Sequence, residues 1–451
     1  MKLHSIRLKH ANHFADLQAN FHYHDQPITL ILGDQGVGKT TLLKHCYQAL
    51  SWFSARLKDA RGAGVIMLDQ DIMQTRIQSK IDIQVRIASE LGQLPESADV
   101  TVQDSSLCRW QLYKTLNANS SGLSKAETAE LEQLIELYQQ AIKQDPLQGL
   151  PVIAYYPAER FVNEVNLLSK NNPMVFHASS AYEQNAISFT TFARFFEWLR
   201  EVSDVENAQT AQLLQQFLTH AQDKNSSFDL VQAHAQIHSP ALTALKTTLH
   251  TVFPEISDFY LQYHPKLQLM VQYEGKTMLY QQLPNTVKNW IALIGDLVRR
   301  LCLLNPLSLY PCQEGDGIVL IDHIDAHLDQ NLSQVILQRL HQAFPQLQLI
   351  VTGNRSELLE DAARYQCLRL EHQTLHPVHS PETWAAFDHL YAGLGISTDQ
   401  PEPLESLKPP APPVDPEQVR ELFQQLTVEQ QSALLQQLQV DSDPSNPETS
   451  L

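Results

Sequence analysis

The chain has 451 residues, a formal net charge of −18 and 43% hydrophobic residues. This length exceeds one ordinary domain but is short for three, so we expect one main domain that carries insertions. The acidic balance argues against a broadly basic nucleic-acid-binding surface, and no uninterrupted apolar stretch approaches the length of a membrane span.

The N-terminal segment alternates polar and apolar residues like a strand and lacks the apolar core of a signal peptide. The five cysteines include no Cys-x-x-Cys pair and fall mostly within apolar segments. They are therefore interpreted as reduced packing residues. Together these features predict a cytoplasmic protein.

A phosphate-binding loop at residues 33–40 fits the pattern Gly-x-x-x-x-Gly-Lys-Thr. Its residues are Gly33, Asp34, Gln35, Gly36, Val37, Gly38, Lys39 and Thr40, followed by Thr41. Glycines let successive backbone N–H groups point at phosphate oxygens, Lys39 reaches the terminal phosphates, and Thr40 ligates magnesium. The apolar run 28–32 predicts a buried strand before the loop, and apolar residues at helical spacing predict a helix after it. The sequence therefore predicts nucleotide binding at a helix N-terminus.

Hydrophobic periodicity predicts the remaining elements of an α/β lobe with helical insertions. The aromatic stripe of Phe192, Phe195 and Phe196 is interpreted as core packing within one inserted helical segment. In chain order the predicted elements are a short helix or hairpin at 121–144, a strand at 151–157, mostly helix at 186–253, short strands with a hairpin turn at 274–276 within 258–282, a helix at 287–304, a strand at 318–322, a helix at 333–343 and a strand at 347–352.

The composition changes after about residue 398, where prolines recur. This pattern predicts a stiff extended linker at 398–416. A helical tail with an apolar face follows at 417–451. Such a face docks to a partner, docks to another copy of the chain, or folds back onto its own domain, and the sequence leaves these alternatives open.

The order of these parts resembles the heads of ATP-binding-cassette (ABC) ATPases. The parts are the phosphate loop, an aromatic-Pro-x-x-Arg segment at 156–160, a helix carrying Ala292 and Leu293, and a late apolar strand ending in Asp322. The most similar branch comprises the RecF, SMC and OLD-type bacterial ATPases, including ATP-binding proteins of antiphage defence. The resemblance covers about residues 1–395. It implies an α/β P-loop NTPase fold with an ABC-type head, helical insertions and a short C-terminal helical tail.

The resemblance also implies a division of the chain into five parts. The head begins with residues 1–160, which include a short helical insertion, and continues after a mainly helical insertion at 161–255. Residues 256–397 complete the head with the signature-like helix, the Walker B strand and the D-loop. The linker and the helical tail follow.

The family's site residues carry over to this chain in part. Lys39 and Thr40 match the phosphate and magnesium ligands, and Asp322 matches the Walker B aspartate, so ATP and Mg²⁺ are the implied ligands. Leu328 and Asp329 match the D-loop that crosses a dimer interface. These positions keep the family's binding residues.

Other family positions are replaced in this chain. His323 stands where active relatives have the glutamate that activates water, and Asn354 stands where they have the switch histidine. The signature aligns with 283–287, where Pro284 replaces its serine, Thr286 its glycine and Val287 its glutamate.

These replacements predict impaired hydrolysis. Pro284 has no N–H or hydroxyl to offer a γ-phosphate, and Thr286 disfavours glycine conformations. A histidine at 323 differs from glutamate in geometry and charge. We therefore expect an ATP-binding protein that acts as a nucleotide-gated, dimerising or partner-controlling switch with weak or lost hydrolysis. It would pair with itself, a related ATPase or an effector. The alternative is an active ATPase that uses His323 or Asp325 as its base.

Three further assignments stay open at this point. His323 and His327, four residues apart, could ligate zinc if their stretch were helical. Arg160 could reach the nucleotide or an interface, or form a structural ion pair. Adenine contacts are expected around residues 12–14. A partner-binding scaffold with ATP as a gating ligand is the main non-enzymatic hypothesis.

Overall fold

The computed structural model describes residues 1–22, 25–94, 106–116, 122–160, 162, 177–183, 192–220, 240–360 and 362–378. The chain divides into two compact units, Met1–Ser380 and Pro381–Leu451. Every element described below belongs to the first unit. The predicted linker at 398–416 and tail at 417–451 lie outside the described residues, so both stay predictions.

The strands of the first unit form three sheets. A five-stranded antiparallel sheet has the order β2-β1-β4-β5-β6, a three-stranded sheet has the order β10-β9-β8, and a six-stranded sheet has the order β14-β13-β3-β12-β11-β7. The strands are β1 (Lys2–Ala11), β2 (Phe14–Asn20), β3 (Ile28–Leu32), β4 (Gln78–Arg86), β5 (Leu107–Leu116), β6 (Gly122–Glu127), β7 (Val152–Tyr156), β8 (Ile256–Gln262), β9 (Gln268–Tyr273), β10 (Lys276–Leu279), β11 (Gly317–Ile321), β12 (Leu347–Thr352), β13 (Gln366–Glu371) and β14 (Thr374–Pro377).

The six-stranded sheet places the ends of its parallel strands at one edge. β13, β3, β12, β11 and β7 are parallel to their neighbours, and only β14 runs antiparallel. β3, β7 and β11 are buried at every position and almost entirely apolar, as expected for strands covered on both faces. The phosphate loop, the strand end before Asp322 and the end of β12 therefore meet at the same edge.

The helices pack against this sheet, against the other two sheets and against one another. They are α1 (Lys39–Lys58), α2 (Ala129–Gln144), α3 (Ala193–His220), α4 (Pro240–Val252), α5 (Asn285–Leu304), α6 (Pro311–Glu314) and α7 (Gln330–Ala343). Ile31, Tyr155 and Leu320 of the sheet share one buried cluster with Leu42 and Leu43 of α1. This packing fixes the start of α1 beside the strand ends. No helix within the described ranges is long and apolar enough to cross a membrane.

The structure agrees with most predicted elements and refines two of them. The stretch 121–144 is strand β6 followed by helix α2, since its polar start alternates while its second part has helical spacing. The stretch 258–282 contains three strands, and its predicted hairpin turn joins β9 to β10. Glu274 and Gly275 take positive φ values of 50° and 74° there, which suits a tight two-residue turn. The predicted α/β fold class is confirmed.

Helix α5 is buried along almost its whole length and carries a charged network. Asp296 accepts hydrogen bonds from Arg299 (3.1 and 2.9 Å) and Arg300 (2.7 Å). It also accepts one from the Tyr156 hydroxyl (3.0 Å). Burial alone would raise the pKa of Asp296, but the two guanidinium charges outweigh it and hold this pKa at about 2. Both arginines continue to carbonyls within 177–183, so the network joins α5 to β7 and to that turn.

Candidate functional site

The phosphate loop has the backbone conformation that its glycines predict. Gly33 and Gly38 have φ values of +149° and +106°, which side chains with a Cβ rarely adopt. A Cβ at Gly38 would lie 2.1 Å from Nε2 of His13. His13 also contacts the Val37 carbonyl through that nitrogen (3.1 Å), so the β1–β2 turn packs directly on the loop. Only glycine fits at Gly38 in this arrangement.

Lys39 folds back over the loop at the start of α1. Its Nζ donates hydrogen bonds to the carbonyls of Gly33 (2.5 Å) and Asp34 (2.8 Å). Burial lowers the pKa of Lys39, while the negative charges of Asp322, Asp34 and Asp325 act in the opposite direction. The ammonium therefore lies within electrostatic reach of Asp322. Phosphate oxygens offered at the loop would replace the two carbonyl acceptors.

The N-terminus of α1 is open to a ligand. Gly38 is its N-cap, and no side chain of the described residues caps the first turn. Thr40 and Thr41, both partly exposed, lie in that turn. Uncapped amides and the helix dipole attract an anion. The loop, Lys39 and the helix start are therefore brought together as the sequence predicts.

Asp322 presents one unpaired carboxylate oxygen at the same edge. Its side chain is 0% exposed, and its N–H donates to the Tyr156 carbonyl (2.8 Å). Oδ1 accepts a hydrogen bond from the Thr352 hydroxyl (2.6 Å), whereas Oδ2 has no hydrogen-bond partner in the described part of the chain. A buried carboxylate oxygen without a partner is costly. A hydrated magnesium ion would satisfy it, so the residues present fit the implied metal.

Arg160 holds the backbone on which Asp322 and His323 sit. Its guanidinium donates to the carbonyls of Pro157 (2.9 Å), Asp322 (2.5 Å) and His323 (2.8 Å). Burial lowers the pKa of Arg160 to about 10, with Asp322 and Asp325 opposing that shift. These hydrogen bonds go to backbone carbonyls. They favour a structural role over contact with a nucleotide or a partner.

Asp325 is engaged by the loop that follows β12. It is buried, and its Oδ2 accepts hydrogen bonds from the backbone N–H groups of Asn354 (2.7 Å) and Arg355 (2.9 Å). These two hydrogen bonds occupy Oδ2 and hold the carboxylate against the loop after β12. The alternative in which Asp325 serves as the hydrolytic base is therefore disfavoured.

His323 and Asn354, the two replaced catalytic positions, lie on the segments that follow the neighbouring strands β11 and β12. His323 is partly exposed, has a positive φ of 47° and donates its N–H to the Thr352 hydroxyl (2.8 Å). The Asn354 side chain is exposed. The backbone at both positions is fixed by hydrogen bonds, whereas their catalytic roles stay predictions.

The signature-like segment begins α5 without the features that a phosphate would need. Pro284 is the N-cap, and a proline has no N–H to donate. The Thr286 hydroxyl donates to the His327 carbonyl (2.8 Å), which joins this segment to the D-loop region of the same chain. The two predicted interface residues differ in placement. Leu328 is 2% exposed, while Asp329 lies on the surface and caps α7 through the Leu332 N–H (2.7 Å).

The zinc hypothesis gains no support from the structure. His323 and His327 lie in a turn region and not on a helix, and both have positive φ values. Across the described ranges, no group of three or more His, Cys, Asp or Glu side chains is arranged to hold a metal ion. The magnesium assignment rests instead on Asp322 with the phosphate loop.

Sequence reasoning missed the pairing of Thr352 with Asp322 and the engagement of Asn12. The Asn12 side chain contacts Nε2 of His45 (2.6 Å) and the Gln70 carbonyl (3.1 Å). The Asn12 side chain therefore has hydrogen-bond partners within the fold, whereas His13 contacts the phosphate loop. A signal for Thr352 was present, because it is a polar residue at the carboxyl end of an apolar strand.

Comparisons with known proteins give a family match, and the curated relatives include two ATPases. A family model described as AAA domain matches residues 5–256. The chain is 24% identical over 368 residues to the retron Ec83 probable ATPase of Escherichia coli, covering 73% of this chain and 64% of that protein. It is 24% identical over 379 residues to the retron Vc95 probable ATPase of Vibrio cholerae serotype O1 biovar El Tor, covering 78% and 70%. The chain thus spans less than two thirds of the Ec83 relative.

Similar solved structures include an SMC head bound to the C-winged helix domain of ScpA. It has a TM-score of 0.46 and 11% identity, with 85% of this chain and 100% of that chain covered. The recombination mediator protein RecF has a TM-score of 0.38 and 14% identity, with 84% and 98% covered.

Proposed function

Because this chain belongs to the AAA domain family, and its parallel sheet carries a phosphate loop, we propose that it is an ATP-binding switch with weak or lost hydrolysis. The observation that carries this proposal is the pairing of two features at one sheet edge. Lys39 covers an open helix N-terminus, and the unpaired Oδ2 of Asp322 lies within its electrostatic reach. ATP with Mg²⁺ satisfies both.

The binding step depends on residues of this chain alone. Loop amides and the start of α1 receive the phosphates, and Lys39 exchanges its carbonyl acceptors for phosphate oxygens. Asp322 and Thr40 would hold the magnesium ion, which would supply neutralisation of the phosphate charge. His13, which lies against the loop, is the residue of the β1–β2 turn best placed to approach the rest of the nucleotide.

Weak hydrolysis is supported by two replacements and by one engaged carboxylate around this site. His323 occupies the position of the water-activating glutamate, and the Asp325 carboxylate accepts two backbone hydrogen bonds. Pro284 starts α5 without an N–H. Phosphoryl transfer depends on positioning of the nucleophile and charge neutralisation, so both are weakened. The alternative is an active ATPase in which His323 is the base, since a partly exposed histidine can accept a proton.

The resemblance and the names of the curated relatives support a proposed biological role. We place the protein in the cytoplasm, in antiphage defence of the retron type, since both curated relatives are named retron probable ATPases. ATP binding would gate pairing with a second copy, a related ATPase or an effector, through the surface around Asp329. The Pro-rich linker and the tail at 417–451 would contribute to partner binding. A DNA-linked process is the second setting that the resemblance offers.

ATP titration of the purified chain tests the binding proposal. Lys39→Ala is expected to weaken ATP binding by about 100-fold or more, because hydrogen bonds to charged groups contribute about 1.5–3 kcal/mol each. Lys44→Ala, five residues along α1, is the matched control and should bind like the wild type. Equal affinities for the wild type and Lys39→Ala would refute nucleotide binding at this loop.

A further inference from the structure

The Thr352 hydroxyl stands between the metal-binding carboxylate and the replaced catalytic position. Thr352 ends β12 and is 0% exposed. Its Oγ1 lies 2.6 Å from Oδ1 of Asp322 and 2.8 Å from the backbone nitrogen of His323. One buried hydroxyl therefore contacts two consecutive residues of the neighbouring strand end.

The chemistry of the three groups fixes the direction of both hydrogen bonds. The His323 N–H can only donate, so Oγ1 accepts from it. An ionised Asp322 carboxylate can only accept, so the single hydroxyl proton points at Oδ1. The β-branched side chain of threonine is also stiff at χ1. The hydroxyl is thus held in one orientation.

The two carboxylate oxygens of Asp322 have different partners in this arrangement. Oδ1 is held by Thr352, and Oδ2 is the oxygen without a described partner. Rotation of the carboxylate would break the charge-assisted hydrogen bond to Oδ1, which is stronger than a neutral one. Oδ2 is therefore kept facing the edge of the sheet where the phosphate loop lies.

We propose that Thr352 is a positioning residue that orients the Asp322 carboxylate toward the magnesium ion of bound ATP. The proposal rests on the proposed ATP-binding function. The hydroxyl acts through Asp322 and touches neither the nucleotide nor the metal itself. Its role is the one that outer-shell partners play at metal sites, where they fix the orientation of a ligand.

Apart from the His323 N–H, which donates to this hydroxyl, the surrounding backbone is held by other hydrogen bonds. The Ile324 N–H donates to the Thr352 carbonyl (2.8 Å), and Asp325 accepts from the N–H groups of Asn354 and Arg355. Arg160 holds the carbonyls of Asp322 and His323 from the other side. Removal of the hydroxyl should therefore free the carboxylate while the two loops keep their places.

The test compares ATP affinity in Mg²⁺ with ATP affinity in EDTA for each variant. The Mg²⁺ gain is the ratio of ATP affinity in Mg²⁺ to ATP affinity in EDTA. Thr352→Val is expected to lower this ratio by about 10-fold or more, in line with the cost of removing outer-shell partners. ATP affinity in EDTA should change by less than about 3-fold, since the loop and Lys39 are untouched. Thr352→Ser keeps the hydroxyl and should retain the wild-type gain.

Thr29→Val is the matched control. Thr29 is also 0% exposed, lies in the same sheet on β3, and donates its hydroxyl to Oε1 of Gln366 (2.9 Å). It is paired with Ile350, two residues before Thr352, so it lies farther from the carboxyl end of the parallel strands. Its loss should lower thermal stability in a similar way and leave the Mg²⁺ gain unchanged. If Thr352→Val does not fold, Thr352→Ala takes its place in the same comparison.

Two results would overturn the positioning role. One is a wild-type Mg²⁺ gain in a folded variant without the hydroxyl, and the other is a loss in Thr352→Ser as large as in Thr352→Val. If the wild type binds ATP through Lys39 with the same affinity in Mg²⁺ and in EDTA, the positioning role is also refuted, but nucleotide binding is not. Failure of the wild type to bind ATP through Lys39 would instead refute the proposed function.

Discussion

Two long helices of this protein start in opposite ways. α1 and α5 each have 20 residues, and no described side chain caps either of them. α1 begins after Gly38, whose left-handed conformation leaves free amides facing the loop. α5 begins after Pro284, which has no N–H, and the nearby Thr286 hydroxyl is already bonded to the His327 carbonyl.

The difference between the two helix starts distinguishes the residues proposed for ATP binding from those that ATP hydrolysis would need. We propose that the start of α1 binds a nucleotide within its own chain, and the phosphate loop, Lys39 and the uncapped helix start lie together there. In the proposed alignment, the start of α5 corresponds to a signature that acts on the nucleotide of an opposite subunit, and Pro284 and Thr286 replace its serine and glycine. The contrast supports an ATP-binding protein in which the step that needs a second subunit is weakened.

The largest expected effect is a loss of folding stability in α5 beyond its first turn. A buried charged network stabilises this part of the helix, although the residues at its start are replaced. Asp296→Asn should destabilise the fold by about 3–5 kcal/mol, because it leaves two buried arginines without a counter-charge. Denaturant unfolding measures this loss. Asp258→Asn, which breaks the exposed pair with Lys246, should cost less than about 1 kcal/mol. Equal effects would show that α5 is not anchored by this network.

The Asp296 network also predicts a pH dependence. The folded pKa of Asp296, about 2, lies below the ordinary value of 3.8. Its stabilisation is therefore fully present above about pH 4 and is lost as pH falls through about 2. The stability difference between the wild type and Asp296→Asn should shrink across this range. A difference that stays constant from pH 4 to pH 2 would contradict the assigned shift.

A first test of the weakened turnover restores the glutamate at position 323. His323→Glu should raise the rate of phosphate release by about 10- to 100-fold, since a positioned general base contributes about 100-fold or more. We expect the lower end, because Pro284 and Thr286 are unchanged. His323→Gln, which has no carboxylate, should give no gain. A folded His323→Glu protein without a rate increase would mean that the missing glutamate is not limiting.

A second test restores a serine and a glycine at the start of α5. Pro284→Ser with Thr286→Gly should tighten ATP-dependent self-association by about 10-fold, since it returns an amide, a hydroxyl and a flexible glycine to the helix start. Pro284→Ala returns only the amide and should have a smaller effect. Sedimentation velocity with and without ATP measures both. No change in the double variant would indicate that this turn does not face a second nucleotide.

The smallest expected effect separates capping from pairing at the D-loop. Asp329→Ala should cost about 1 kcal/mol of stability, because Asp329 caps α7, whereas Asp329→Asn keeps a capping side chain. If Asp329 also pairs with a partner through its charge, both variants should weaken ATP-dependent association. Normal association in the folded Asn variant would exclude that role for the charge.

Local sequence signals sufficed for the phosphate loop and for the hairpin turn. Both are set by glycines at positions where only a positive φ fits, and flanking periodicity gave their strand and helix. The same reasoning placed Asp322 at a strand end. These features depend on neighbouring residues in the chain.

The hydrogen bonds around Asp322 could not be predicted in the same way. Thr352, Asp325 and Arg160 meet there through the register of β11 against β12 and β7. That register is set by packing between segments more than 150 residues apart in sequence for β7 and β11. The sequence marked these side chains as polar residues at strand ends but gave neither their partners nor their hydrogen-bond directions.

ATP occupancy and phosphate release, measured on one purified sample with Mg²⁺, test the central claim most directly. Lys39→Ala accompanies the wild type in the same assay. We predict ATP binding that requires Lys39 together with phosphate release far below about 1 s⁻¹, well under the rate of a typical enzyme. Lys39-dependent release at about 10 s⁻¹ or faster would contradict this account and establish an active ATPase with different catalytic residues.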